Sequence, residues 1–158
     1  MGVAFRIPKK GLAIVAGLLG LASCDSVIQS QSEQALWEAL EIHDYQFVYS
    51  VACFCGFTGP NPVRLTVQNG LVVKVEPTGN AVLPPTTPAA ATYPTIDSLF
   101  AIIERARLAK PAELEIQYDA TYHYPVVIGV DPVKNAVDDE ITYRVESFSP
   151  TVTQASNR

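Results

Sequence analysis

From Tyr45 onward the chain alternates between two apolar rhythms, and that alternation constrains its fold more than any single motif. Tyr45, Phe47, Tyr49 and Val51 recur at every second position, as do Leu114, Ile116 and Tyr118, then Val126, Ile128 and Val130, then Ile141, Tyr143 and Val145. A period of two places each set on one face of a strand. Between these runs, Ile96, Leu99, Phe100, Ile103 and Ala106 keep helical spacing, with Thr95 as a good N-cap, Asp97 complementing the helix dipole and Lys110-Pro111 as a stop. An earlier helix is expected to start at Ser30, where Glu33 three residues on has capping-box spacing, to carry an apolar stripe of Leu36, Trp37 and Leu40, and to end near His43-Asp44. The order is helix, three strands, helix, three strands, which favours an α+β architecture with helices on one face of an antiparallel sheet. The repeated order hints at a degenerate tandem of an αβββ unit. No glycine-rich phosphate loop interrupts it.

Val63 to Glu76 reads as a hairpin. A two-residue turn at Asn69-Gly70 would pair Val67 with Val72 and split the apolar set between faces. A three-residue loop, Gln68-Asn69-Gly70, would pair Val67 with Leu71 and Leu65 with Val73 and keep Val63, Leu65, Val67, Leu71, Val73 and Val75 together, so the bulged register is expected. Pro77 to Pro94 lacks periodicity and is expected to be an extended surface crossover. Ser149 to Arg158 is expected to fray.

The chain is long enough for one domain, and its 48% apolar content with 12 Pro and 9 Gly does not suit a collagen-like or wholly disordered polypeptide. A net charge of -5 argues against a nucleic-acid partner, which would need clustered cations. The first segment has a different character. Arg6, Lys9 and Lys10 precede an uncharged apolar run, Gly11 to Ala22, short for a permanent membrane span and suited to a signal-peptide core. The run closes on Leu21-Ala22-Ser23-Cys24, which resembles the lipobox of bacterial lipoproteins. The resemblance implies cleavage before Cys24 and acylation of its thiol. Asp25 resembles an inner-membrane retention signal of some bacteria, and the choice of membrane stays open. The expected organisation is a signal peptide over 1–23, a tether over 24–31 after lipidated Cys24, a single α+β domain over 32–149 and a flexible tail over 150–158. Cleavage would leave 8 basic and all 16 acidic residues, a charge of -8. Such a body has no electrostatic attraction to anionic lipid, so its membrane partner would be held by the acyl chains on Cys24.

Trp37, Asp44-Tyr45-Gln46-Phe47, Cys53-Phe54-Cys55, Val67-Gln68-Asn69-Gly70, Pro94 through Phe100, Tyr118-Asp119, Tyr124-Pro125 and Asp131 through Glu140 together resemble the bacterial lipoproteins classed as domain of unknown function 6174, over about Trp37 to Phe148. His123 stands where that pattern usually has a glycine before its aromatic-Pro pair, a position at which glycine permits a left-handed turn. The resemblance implies an exported lipoprotein and supplies no catalytic residues.

Cys53 and Cys55 are the body's two cysteines, and in an oxidising compartment they would form a disulfide. Residues i and i+2 of a regular strand lie about 6.6 Å apart, near the outer limit for a bridge, so the chain would have to bend there. A reduced pair, a redox dithiol and a metal site are the alternatives. His43 and His123 are the only histidines that could complete a zinc site, and their spacing matches no zinc finger. Asp138-Asp139-Glu140, with Asp131 and Asn135, lacks the alternating ligands and central glycine of a calcium loop. Asp119 after Tyr118 suits a turn better than acid-base chemistry, and no Gly-x-Ser-x-Gly is present. No catalytic residue, metal or cofactor is therefore expected. Tyr118, Tyr122, Tyr124 and Tyr143 would either line a binding groove or finish the core. The expected function is a lipid-anchored, noncatalytic envelope module, outside the cytoplasm, binding a protein or small ligand. The alternatives are a thiol redox protein using Cys53 and Cys55 or a metal-binding envelope protein.

Overall fold

The computed structural model describes residues 22–54, 61–80 and 82–151, with the side chains of the first helix described from residue 28. The elements are α1 (Ala22–Ala39), β1 (Tyr45–Ala52), β2 (Val63–Gln68), β3 (Leu71–Pro77), a single 3-10 turn (Ala90–Thr92), α2 (Ile96–Ala109), β4 (Glu113–Tyr118), β5 (Pro125–Asp131) and β6 (Ile141–Pro150). The strands form one sheet in the order β3-β2-β1-β6-β5-β4, with every neighbouring pair antiparallel. The α+β architecture and its element order are thus those expected. The two three-strand meanders lie side by side. Because β1 and β6 run antiparallel, β4 points opposite to β1, and the repeat of element order is not a translation of one meander onto the other.

The period-two pattern works because one face of the sheet is covered and the other is open. On the covered face, Val51, Tyr143, Ile128 and Ile116 form a row across four strands, set by the registers Val51↔Tyr143, Tyr143↔Ile128 and Ile128↔Ile116. Phe47, Leu65, Val63 and Val67 are fully buried there, together with Ile96, Leu99 and Ile103 of α2. The start of α2 is fixed as its sequence foretells: the Thr95 side chain accepts from the Ser98 amide, and Lys110 closes the helix in the left-handed conformation. The buried Tyr45 hydroxyl also accepts a hydrogen bond from the Ile96 amide, which ties β1 to the same helix end.

Several expectations fail locally. Helix α1 is already helical at Ala22 and ends at Ala39, so Ser30 caps nothing; it lies inside the helix, 1% exposed. Of the expected stripe only Trp37 is buried, while Leu36 and Leu40 remain 46% and 41% exposed. The expected bulged hairpin loop is corrected too. Gln68 pairs with Leu71 and Val67 with Val72, so the turn is the two-residue one, with Asn69 and Gly70 both at positive φ. The apolar set is rescued by a shift one step later: Thr66 pairs with Lys74 and Leu65 with Val75, leaving Val73 as an extra residue on β3. Val72 and Val75 therefore turn inward, and Leu71 and Val73 stay exposed at 69% and 50%. The turn is held from outside, since the Asn69 amide donates to Asp44 Oδ1 (2.7 Å) and the Gly70 amide to the His43 carbonyl (3.0 Å).

The crossover contributes more than surface. Tyr93 is 5% exposed against Tyr49, and Leu83 and Ala90 pack on the core. At the other end, Ser149 and Pro150 belong to β6 and pair with Gln46 and Tyr45, so the chain stays ordered in the sheet past the expected fraying point. Residues 152–158 lie outside the described residues.

Candidate functional site

The tyrosines singled out by sequence are distributed through the covered side of the sheet. Tyr124 is 5% exposed, wedged between Trp37 (centroids 6.4 Å apart) and Phe148 (4.7 Å). Tyr122 meets the same Phe148 at 5.1 Å. Tyr118 stacks on Phe100 of α2 at 6.3 Å, and Tyr143 sits on β6 in the row between Val51 and Ile128. Burial raises the hydroxyl pKa of Tyr124 to about 12, with the neighbouring Asp119 and Tyr122 adding to the effect. Tyr118 and Tyr143 are shifted upward by the same desolvation, opposed at Tyr118 by the nearby polar groups of Ser30 and Arg107 and at Tyr143 by the Arg105 charge. These phenols stay neutral and serve packing. Their arrangement favours a core role over a groove.

One departure from the family pattern is resolved by geometry. His123 adopts φ 63°, the left-handed conformation that a glycine would take, which histidine tolerates better than most residues. Its amide donates to the Asp119 carbonyl at 3.0 Å, while the Asp119 side chain caps the same turn by accepting from the Thr121 and Tyr122 amides. Asp119 is thus a turn former. The His123 ring reaches Glu33 of α1, Nδ1 to Oε2 2.8 Å, and this contact binds the β4–β5 connection to the helix.

Among the described residues, the open face of the sheet carries two adjoining depressions. Its central row is Ala52, Thr142, Gly129 and Glu115, set by the pairings Ala52↔Thr142, Thr142↔Gly129 and Gly129↔Glu115. Small side chains there leave a floor with walls on either side. Towards β1 lies a depression of about 500 Å³ with Phe54 and Asn61 on its rim, and towards β4 one of about 310 Å³ with Glu113, Glu115 and Asp131; Glu140 and Thr142 belong to both. Phe54 is 81% exposed, an apolar ring held in solvent. Asn61 is fixed by bonds to both the amide and the carbonyl of Val51, continuing the β-ladder with a side chain. The groove thus has an aromatic end and an acidic end. Neither end is conspicuous in sequence, because Ala52, Gly129 and Thr142 are distant along the chain and only the strand registers align them.

Cys53 follows β1 immediately and packs half-buried against the core beneath the same groove; Cys55 lies outside the described residues. Among the described residues no three or more His, Cys, Asp or Glu side chains converge as metal ligands. His43 lies between α1 and β1, and Asp138, Asp139 and Glu140 form the approach to β6. No described helix is long and apolar enough to cross a membrane.

Fold and site together define an α+β domain whose six-stranded antiparallel sheet is covered by helices on one side and grooved on the other. The family described as "Family of unknown function (DUF6174)" matches residues 29–150, well over half of the chain, and the protein belongs to that family. Comparison with curated proteins and with solved structures gave no match.

Proposed function

We propose that the protein is a lipid-anchored bacterial envelope protein whose body is a noncatalytic binding module. Residues 1–23 act as a signal peptide, Cys24 carries the acyl chains, palmitate among them, and the body faces the periplasm or the exterior. The observation that carries this reading is the order of the N-terminal segment: basic residues, an uncharged apolar run, then Leu21-Ala22-Ser23-Cys24. Acyl chains supply roughly 0.8 kcal/mol per buried methylene, enough to hold an acidic body at a bilayer that does not attract it. In that compartment Cys53 and Cys55 are joined as a structural disulfide.

The binding surface in this reading is the grooved sheet face. Three carboxylates (Glu113, Glu115 and Asp131) at one end, Glu140 between the two depressions and the exposed Phe54 at the other end suit a ligand or protein segment with a cationic group and an apolar one. Two experiments test the proposal. Metabolic labelling with an alkyne palmitate analogue should mark the wild-type chain and fail on Cys24→Ala. In-cell crosslinking from Thr142 should capture a partner, and capture should drop when Glu115 and Asp131 are both changed to Lys. An unlabelled wild-type chain, or capture indifferent to the charge reversal, would refute the respective half.

A further inference from the structure

Helix α1 carries apolar residues on two sides, and only one of them is used by the fold. Trp37 and Ser30 face inward, 3% and 1% exposed, and Glu33 reaches sideways to His123. At about 100° per residue, Ile28, Ala35, Leu36, Ala39 and Leu40 fall together on the outward side. All five are exposed, Ile28 by 64%, Leu36 by 46% and Leu40 by 41%. No charged residue falls within this stripe between Ile28 and Leu40; Glu38, on the flank, accepts from the Gln34 side-chain amide at 2.8 Å. A solvent-facing helix surface normally carries charge; here Ile28, Leu36 and, just past the helix end, Leu40 share it, besides the two alanines, with only the uncharged Gln29 and Ser32, which marks a surface with a partner.

What covers it follows from where the helix begins. The same unbroken helix starts at Ala22, so Cys24 lies one turn before Ile28 and, at about 1.5 Å rise per residue, roughly 9 Å along the axis from the buried Ser30. A helix clamped to the body this close to the acylated residue leaves little slack between lipid and protein. We propose that the outward face of α1 lies on the bilayer, with Ile28, Leu36 and Leu40 in the headgroup boundary and the acyl chains of Cys24 inserted beside them. The proposal rests on acylation of Cys24 and adds the orientation of the body. Because Trp37 holds the inner side of α1 to the covered face of the sheet, the grooved face then points away from the membrane, open to a partner.

The test places a photo-crosslinking benzophenone residue at Leu36, Leu40 or Ala39 in the full chain, with Lys74 on the open sheet face as comparison. Ala39 is small and exposed, so a folding failure at either leucine does not remove the test. After illumination of intact membranes, the proposal expects phospholipid-mass adducts as the dominant product at 36, 39 and 40, none at 74, and loss of all of them in Cys24→Ala. Crosslinks from these positions to a second copy or to another protein would overturn it. So would an absence of lipid adducts while intact mass shows Cys24 acylated, a result that leaves the anchored reading standing. An unacylated Cys24 would overturn both.

Discussion

Replacing Trp37 with alanine should cost roughly 3–5 kcal/mol, the range for deleting a large buried aromatic side chain. The indole is 3% exposed and meets Tyr45 at 5.6 Å, Phe148 at 5.8 Å and Tyr124 at 6.4 Å, each close to edge-on. Its Nε1 donates to Asp97 Oδ1 at 2.8 Å, linking α1 to the first turn of α2. Trp37→Phe separates the contributions. It keeps most of the ring packing and loses the N–H bond and part of the volume, and since Asp97 is exposed its carboxylate can rehydrate, so about 1–2 kcal/mol is expected. With domain stabilities of about 5–15 kcal/mol, the alanine variant would keep only a fraction of its stability. Urea unfolding of the Cys24→Ala form, followed by far-ultraviolet circular dichroism, reads the difference: at a slope near 2 kcal/mol/M the alanine midpoint falls by about 2 M. A loss under about 1 kcal/mol for Trp37→Ala would mean that α1 is not docked on the sheet. The body would then have no fixed orientation relative to α1.

Other outcomes follow from the same geometry. Gly70→Ala should destabilise by roughly 1 kcal/mol through φ +73° alone, because nothing lies within 4 Å of the added methyl; an unchanged unfolding midpoint would contradict the two-residue turn. The phenols of Tyr45, Tyr49 and Tyr124 are raised above 10.0 by burial, so the fold binds more protons than the unfolded chain above that pH. Their contribution is intact below pH 10.0 and is lost above it, for Tyr124 as pH rises through about 12, so phenolate absorbance from these rings should appear together with unfolding; early phenolate in a still-folded chain would refute the packing. A bridge between Cys53 and Cys55 closes so short a loop that changing both to serine should cost only about 1.6 kcal/mol, measured by thermal unfolding. A reduction potential of the pair well above about -300 mV would favour a redox role instead.

The parts of the fold legible in sequence were those where local signals and burial agree. Helix α2 has a cap, a dipole-matched acid and an apolar face that is the buried one. The strands were legible because the sheet is covered on one face, so period two and burial coincide. The failures occur where distant contacts override local pattern. Ser30 and Glu33 have capping-box spacing, yet the body uses them inside the helix, Glu33 against His123 and Ser30 at the buried Tyr118 hydroxyl. The Asn69-Gly70 turn kept its intrinsic geometry, held by Asp44 and His43, and the apolar mismatch was absorbed by an extra residue at Val73. Leu36, Leu71 and Val73 show the limit of apolar patterning: hydrophobic residues announce a buried surface without saying what buries it. The groove was illegible for a different reason, since its floor is made of residues conspicuous only for being small.

Whether Cys24 fastens this body to a membrane is read from the intact mass of the protein extracted from membranes in detergent. An anchored protein gives a chain beginning at Cys24 and heavier than its amino acids by the fatty acyl groups. A chain that still begins at Met1, or one whose Cys24 carries no added mass, would contradict the anchoring.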